Sequence, residues 1–192
     1  MHKRAYYIVN GITLYRMLSA PLLIFLIIGA HEQVFKWVLI VSFFTDAIDG
    51  YLARTYTVTS KLGSKMDSIA DDLTIVAAIA GIIVFKPAFL KHEIVFVIIL
   101  LGLFILQTML AFLRYHKISS FHTYIAKTAA VLQATFILLL FFLPNPMYIL
   151  FEIMAVVTII DLLEEIILVI MLPEWETNVK GLYWVIRKKQ KY

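Results

Sequence analysis

Five of the six aspartates in this chain fall between positions 46 and 72. Read as helices, Asp46, Asp49, Gly50 and Ala53 stand at i, i+3, i+4 and i+7 and share one stripe. Gly63, Asp67 and Asp71 stand at i, i+4 and i+8 and form a second. The short basic stretch Arg54–Leu62 lets the two helices run antiparallel with the stripes facing. Four carboxylates then meet at one place, and like charges that close repel unless cations neutralise them. All-oxygen ligands suit Mg²⁺, Mn²⁺ or Ca²⁺. Two such cations bridged by carboxylates are a clamp for displacement at phosphorus. Gly50 and Ala53 add no bulk to their stripe and leave room for a flat ligand. Solvation alone would explain one acidic pair at a helix end. Five acids in two facing stripes, with small residues between them, argue for a site. Asp161, Glu164 and Glu165 receive no role from their spacing.

The elements that must position these residues are set by composition. Of 192 residues, 62% are hydrophobic and 16% charged, with a mean hydropathy of +0.90. A soluble domain is about 45–50% apolar and about 25% charged, so the expected solvent is lipid. Seven Gly and five Pro exclude a collagen-like or disordered chain. The absence of Cys excludes disulfides, thiolate catalysis, Cys-ligated zinc and iron–sulfur clusters. Apolar runs long enough to cross a bilayer predict six spans: Ile12–Ala30, Val34–Ala53, Met66–Phe85, Glu93–Leu113, Tyr124–Leu143 and Met147–Leu172. Pro87, Pro144, Pro146 and Pro173 punctuate the run ends. Pro21 and Arg16 interrupt the first run, and no A-x-A-like cleavage site follows it, so a removed leader is not expected. The expectation is a single all-α integral membrane domain over residues 1–192. Residues 1–9, with their basic residues and Tyr6 and Tyr7, predict a short interfacial helix, and 173–192 a basic tail.

Six spans put both termini on one side, where 14 of the 17 Lys and Arg also fall. Lys36, Lys86 and Lys91 lie opposite. The positive-inside rule places the termini and the aspartates in the cytoplasm, at an inner or plasma membrane. The segment from Arg114 to Lys127 lies on that side too. It carries Arg114, Lys117, His122 and Lys127 and no acid, which reads either as a topology signal or as a surface selecting an anionic acceptor. Lys127 is the informative one, because an ammonium at the start of a span needs an anion or a path to the surface. A competing class is a small cation-conducting transporter. An ion path, however, does not require the Gly50, Ala53, Arg54 and Gly63 spacing, and no internal repeat is visible. The modest net charge of +4 gives no reason to expect a nucleic-acid partner.

Residues 46–71 read DAIDGYLARTYTVTSKLGSKMDSIAD. This resembles the signature of the CDP-alcohol phosphotransferases: DxxDGxxAR, eight residues, then GxxxDxxxD. All eight fixed positions match, and Asn10-x-x-Thr13-x-x-Arg16 followed by Pro21 is similar to the family's first-helix element. The resemblance implies transfer of a substituted phosphoryl group from a CDP-linked lipid to an alcohol, with release of CMP. It implies two divalent cations, Mg²⁺ or Mn²⁺, on Asp46, Asp49, Asp67 and Asp71, with Asp71 also the general base. It implies a nucleotide site lined by Gly50, Ala53, Arg54 and Gly63, Asn10 and Thr13 near the diphosphate, and a homodimer. The short chain looks more like the branch that uses CDP-diacylglycerol. Its acceptor signs are mixed. Ser68 between Asp67 and Asp71 looks more like relatives using serine or inositol phosphate, whereas Lys127-Thr128 with Gln133 leans toward those using glycerol 3-phosphate. The expected acceptor is a phosphorylated alcohol, with glycerol 3-phosphate first and inositol phosphate, inositol and serine as alternatives. Arg114, Lys117, His122 and Lys127 are the residues expected to receive it.

Overall fold

Apolar runs of about 20 residues satisfy their backbone N–H and C=O groups internally when they coil into helices. The structure, a computed structural model, is helical accordingly. It describes the backbone of residues 2–56, 61–117, 121, 123–176 and 179–189. Side chains are described within those ranges except at 2–10, 13, 46–47, 49–56, 61–69, 71–72 and 188–189. No strand occurs among the described residues. In chain order the helices are α1 (His2–Ile28), α2 (Glu32–Tyr56), α3 (Lys61–Phe85), α4 (Pro87–His92), α5 (Ile94–Tyr115), α6 (Tyr124–Phe142), α7 (Tyr148–Met171) and α8 (Leu182–Lys189).

The six long helices coincide with the six apolar runs. Residues 2–9 form the first turns of α1, not a separate interfacial helix. No proline stands between Val9 and Ile12 to end a helix there. Two helices, α5 and α6, are long and apolar enough to cross a membrane by length and composition among the described residues. Helices α1 and α3 contribute shorter apolar stretches, Leu14–Ile28 and Leu73–Phe85. Helix α7 is as long but carries four acids, Glu152, Asp161, Glu164 and Glu165, along its length. Much of the outer surface is nevertheless large and apolar: Phe25, Ile28, Trp37, Phe44, Ile98 and Phe104 are all more than half exposed.

The helices gather into two compact units, Met1–Lys91 and His92–Tyr192. In the first, α1 packs along both α2 and α3. Its buried face runs Arg16, Ser19, Ala20, Leu23, Leu26 and Ile27, the 3.6-residue stripe of a core helix. Phe35, Leu39 and Ser42 answer it from α2, and Ala70, Thr74, Ala77 and Ala78 from α3. The α1–α2 turn is closed by His31 N–H donating to Leu26 O at 2.9 Å, with Ala30 held at φ 54°.

In the second unit α7 is central, packed by α5, α6 and the start of α8. The Phe151 ring meets Phe136 at 5.2 Å and Phe96 edge-on at 6.0 Å. Helix–helix polar ties run alongside. Gln107 Nε2 donates to Glu165 Oε2 at 2.7 Å, and Gln133 Nε2 to Thr158 Oγ1 at 3.0 Å. The last carbonyls of α7 are capped from α5, where Tyr115 Oη donates to Val169 O at 3.0 Å and to Leu172 O at 2.9 Å. Glu164 Oε1 accepts the Leu182 N–H at 2.8 Å, a carboxylate placed at the N-terminus of α8. Below these ties Ala111, Phe121, Leu168, Val169, Leu172 and Val179 form a small core.

Candidate active site

Two contacts fix the register of the first unit. Ser19 Oγ on α1 and Ser42 Oγ on α2 share a hydrogen bond of 3.0 Å. Helices α1 and α2 are joined by residues 29–31 alone, so they run antiparallel. On α3, Gly81 lies against the Phe35 ring of α2; a Cβ added there would stand 2.7 Å from Phe35 Cε1. The same ring meets Phe85 at 5.3 Å, and Lys86 Nζ pairs with Glu32 Oε1 at 2.7 Å near that end. Helices α2 and α3 are therefore antiparallel as well.

Each helical residue advances about 1.5 Å, so the register carries along the bundle. Counted along the helices from these contacts, the Asp46–Asp49 turn of α2 falls at the level of the Asp67–Asp71 turn of α3. The backbone of Arg16 stands at the level of Thr45 and Asp46, and that of Thr13 near Asp49. Asn10 lies a further turn along α1. Gly50, Ala53 and Arg54 occupy the last turns of α2, and Gly63 the first turn of α3. The side chains of Asn10, Thr13, Asp46, Asp49, Gly50, Ala53, Arg54, Gly63, Asp67 and Asp71 lie outside the described residues, as does His122. The packed face of α3 is described down to Ala70, which is fully buried, and Thr74 Oγ1 donates to Ala70 O at 2.8 Å.

The donor set of these two turns is four carboxylates with no sulfur or imidazole, which fits a hard divalent cation such as Mg²⁺ or Mn²⁺. Among the described residues no group of three or more His, Asp or Glu is gathered as a metal site. Next to the aspartate turns stands a residue absent from the expected site, Arg16, only 2% exposed. Its signal in the sequence is a charge inside an otherwise apolar run. The acceptor residues expected in the second unit sit around the segment joining α7 to α8. Arg114 Nε donates to Leu172 O at 3.2 Å. Lys117 Nζ stands 4.5 Å from the Trp175 ring centre. Lys127 Nζ stands 5.5 Å from the Tyr124 ring centre, and that ring meets Trp184 at 5.4 Å. All three cations are exposed.

The family model for CDP-alcohol phosphatidyltransferase matches residues 6–171. The chain belongs to that family. The aspartate turns of this phosphatidyltransferase chain and its six long helices fall within or across the matched span, whereas α8 lies beyond it. The CDP-diacylglycerol–inositol 3-phosphatidyltransferase of Saccharomyces cerevisiae is 33% identical over 98 residues, covering 51% of this chain and 42% of that protein. The CDP-diacylglycerol–glycerol-3-phosphate 3-phosphatidyltransferase of Cereibacter sphaeroides is 35% identical over 74 residues, 36% of this chain and 34% of that protein. A cardiolipin synthase (CMP-forming)/mitochondrial hydrolase fusion protein of Schizosaccharomyces pombe is 37% identical over 62 residues, 32% of this chain and 10% of that protein. Each match thus spans less than half of the relative's length. No solved structure matches the chain. The family is one of membrane-bound transferases of phosphatidyl groups.

Proposed function

We propose that this protein transfers the phosphatidyl group of CDP-diacylglycerol to a polar alcohol and releases CMP, with two divalent cations held by Asp46, Asp49, Asp67 and Asp71. What supports the reading is the register of the first unit. A count along its antiparallel helices brings the two aspartate turns of a CDP-alcohol phosphatidyltransferase family member to the same level. When bound, the cations withdraw charge from the diphosphate and lower the barrier to displacement at phosphorus. Asp71 takes the proton of the acceptor hydroxyl as its oxygen bonds to the lipid's phosphorus. The phosphorus–oxygen bond to CMP breaks and CMP keeps the electron pair. Arg54 meets the charge that develops on that leaving group. Gly50, Ala53 and Gly63 leave room for the nucleotide, with Asn10 and Thr13 beside the diphosphate.

The acceptor we propose is glycerol 3-phosphate, drawn by the exposed cations Arg114, Lys117 and Lys127 together with His122. The Cereibacter relative is named for that acceptor and the Saccharomyces relative for inositol, which is why inositol, inositol phosphate and serine are the alternatives. We place the protein as a homodimer in the bilayer, with six spans and with its termini and site on the cytoplasmic face. The exposed apolar sides of α1, α2 and α5 support a lipid surround. The deciding experiment uses purified full-length protein, CDP-diacylglycerol in mixed micelles and Mg²⁺ or Mn²⁺, with each of the four acceptors in turn. Metal-dependent CMP release that needs glycerol 3-phosphate supports the whole reading. Release with inositol or serine alone overturns the acceptor, and no release with any acceptor overturns the reaction.

A further inference from the structure

We propose that Arg16 is a positioning residue for the aspartate turns, supplying the fixed positive charge that keeps them packed together before any cation binds. The proposal rests on the functional reading above for the identity of the site, and its test is independent of turnover.

A guanidinium stays protonated at any pH a protein survives. Arg16 is 2% exposed and is the one buried cation among the described residues. Its burial also excludes a side chain that snorkels to water. A permanently charged group in that position needs an anion close by. The acids of the first three helices are few: Glu32, Asp46, Asp49, Asp67, Asp71 and Asp72. Glu32 stands at the opposite end of the unit, where it pairs with Lys86 at 2.7 Å. Only the aspartate turns remain. The register agrees independently, because the Ser19–Ser42 bond puts Arg16 one turn nearer to those turns, level with Thr45 and Asp46. On α3 the same level falls at Ala70 and Asp71, and Ala70 is fully buried there.

The hydroxyls around Arg16 are engaged with carbonyls of their own helices or with each other. Ser19 Oγ lies 2.8 Å from Arg16 O and Ser42 Oγ 2.9 Å from Val38 O, so one hydroxyl donates to its own helix while the other donates to its partner serine. Thr45 Oγ1 donates to Val41 O at 2.8 Å and Ser42 O at 2.9 Å. None of them adds charge. Without cations, Arg16 is then the fixed counter-charge for the carboxylates that the two aspartate turns carry. The residue acts on the reaction through Asp46 and Asp71, not by touching substrate.

The test is a set of thermal unfolding cycles on full-length protein in detergent with a chelator present. The singles are Arg16→Met, Arg16→Lys, Asp46→Asn and Asp71→Asn, and the doubles combine Arg16→Met with each aspartate change. Arg16→Met keeps the packing volume and removes the charge, and its Tm is expected to fall by about 10 °C. Arg16→Lys is expected to restore at least half of that loss. The discriminating readout is a change of sign. Asp46→Asn or Asp71→Asn lowers Tm when Arg16 is present and raises it in the Arg16→Met background. Aspartate effects equal in both backgrounds would show a packing role alone and overturn the proposal. Should Arg16→Met not accumulate, recovery of folded protein on adding either aspartate change supports the pairing, and continued failure overturns it. A wild type that releases no CMP yet shows the sign change would break the functional reading and leave this one standing.

Discussion

In the unit of residues 1–91, polarity rises along the bundle axis. Phe35 against Gly81 gives way to Leu23 and Leu39, then to the Ser19–Ser42 pair and Thr74, then to Arg16. The aspartate turns lie beyond. In the unit of residues 92–192, three polar contacts are instead pairwise ties between elements: Gln107 to Glu165, Gln133 to Thr158 and Glu164 to the start of α8. Asp161 Oδ1 and Glu164 Oε2 are buried there without a hydrogen-bond partner among the described residues. A tie satisfies both partners and needs no ligand. A gradient that ends in four carboxylates leaves charge for something outside the chain to complete. Glu164 and Glu165 thus help close the fold, whereas the aspartates of the first unit are the acids we propose for the chemistry.

The sharpest way to break that division is to neutralise one acid from each half. Asp46→Asn or Asp67→Asn is expected to cut CMP release by about 10³-fold or more, since each change removes ligand charge from the cations. Glu165→Gln should keep activity within about tenfold, because the amide can still hydrogen-bond Gln107. Equal losses from the two would erase the distinction. Asp72, about 100° around α3 from Asp71, should tolerate Asn with most activity kept. Asp71→Asn sharpens the chemical side: kcat should collapse while the donor KM moves little, as suits loss of a base.

Next in size is the apolar end of the gradient. Gly81→Ala should destabilise by about 1–3 kcal/mol, because the new methyl meets a Phe35 ring that is itself fully buried. A thermal shift in detergent reads this. An unchanged Tm would mean the register bringing the two aspartate turns to one level is softer than described. Lys127→Ala should raise the acceptor KM by about tenfold with the donor KM unchanged, as loss of a screened cation near an anion would. No change would leave Lys127 as an aromatic contact of Tyr124. The smallest effect belongs to the α1–α2 turn. Ala30 adopts the left-handed region at φ 54°, and Ala30→Gly should raise stability by about 0.5–1 kcal/mol. A lower Tm would indicate that the unfolded chain's gain in freedom dominates there.

The helices are legible in the sequence because apolar runs and terminal prolines are local signals. Helices α2, α3, α5, α6 and α7 begin and end within about five residues of their runs, inside the spread usual for helix ends plus a polar turn or two. What escapes a reading of the sequence depends on distant partners. Residues 182–189 read as a basic tail because a helix of that length gains its stability from docking, here from Glu164 eighteen positions earlier. For the same reason Glu164 and Glu165 carry no role that spacing can assign: Gln107, which explains Glu165, lies two helices away. The aspartate stripes are an expectation from spacing, their side chains lying outside the described residues. Arg16 is legible as part of the first-helix element that resembles the family's, but its burial is not, since that depends on two neighbouring helices.

The hydroxyls of this protein have a consequence for how the chain is made. Thr45, Thr74, Thr128, Thr135 and Thr158 each donate to a carbonyl four residues earlier in the same helix, and one of Ser19 and Ser42 donates to a carbonyl three or four residues earlier. Such bonds form as soon as the helix itself forms, before any neighbour has arrived. A segment leaving the ribosome can therefore enter lipid with its hydroxyl donors already satisfied, and find its partners afterwards by sideways diffusion. The charge of Arg16 is a different matter, because no carbonyl of its own turn can neutralise a guanidinium. The guanidinium of Arg16 is thus a group that bonds within α1 cannot settle before α2 and α3 pack against it.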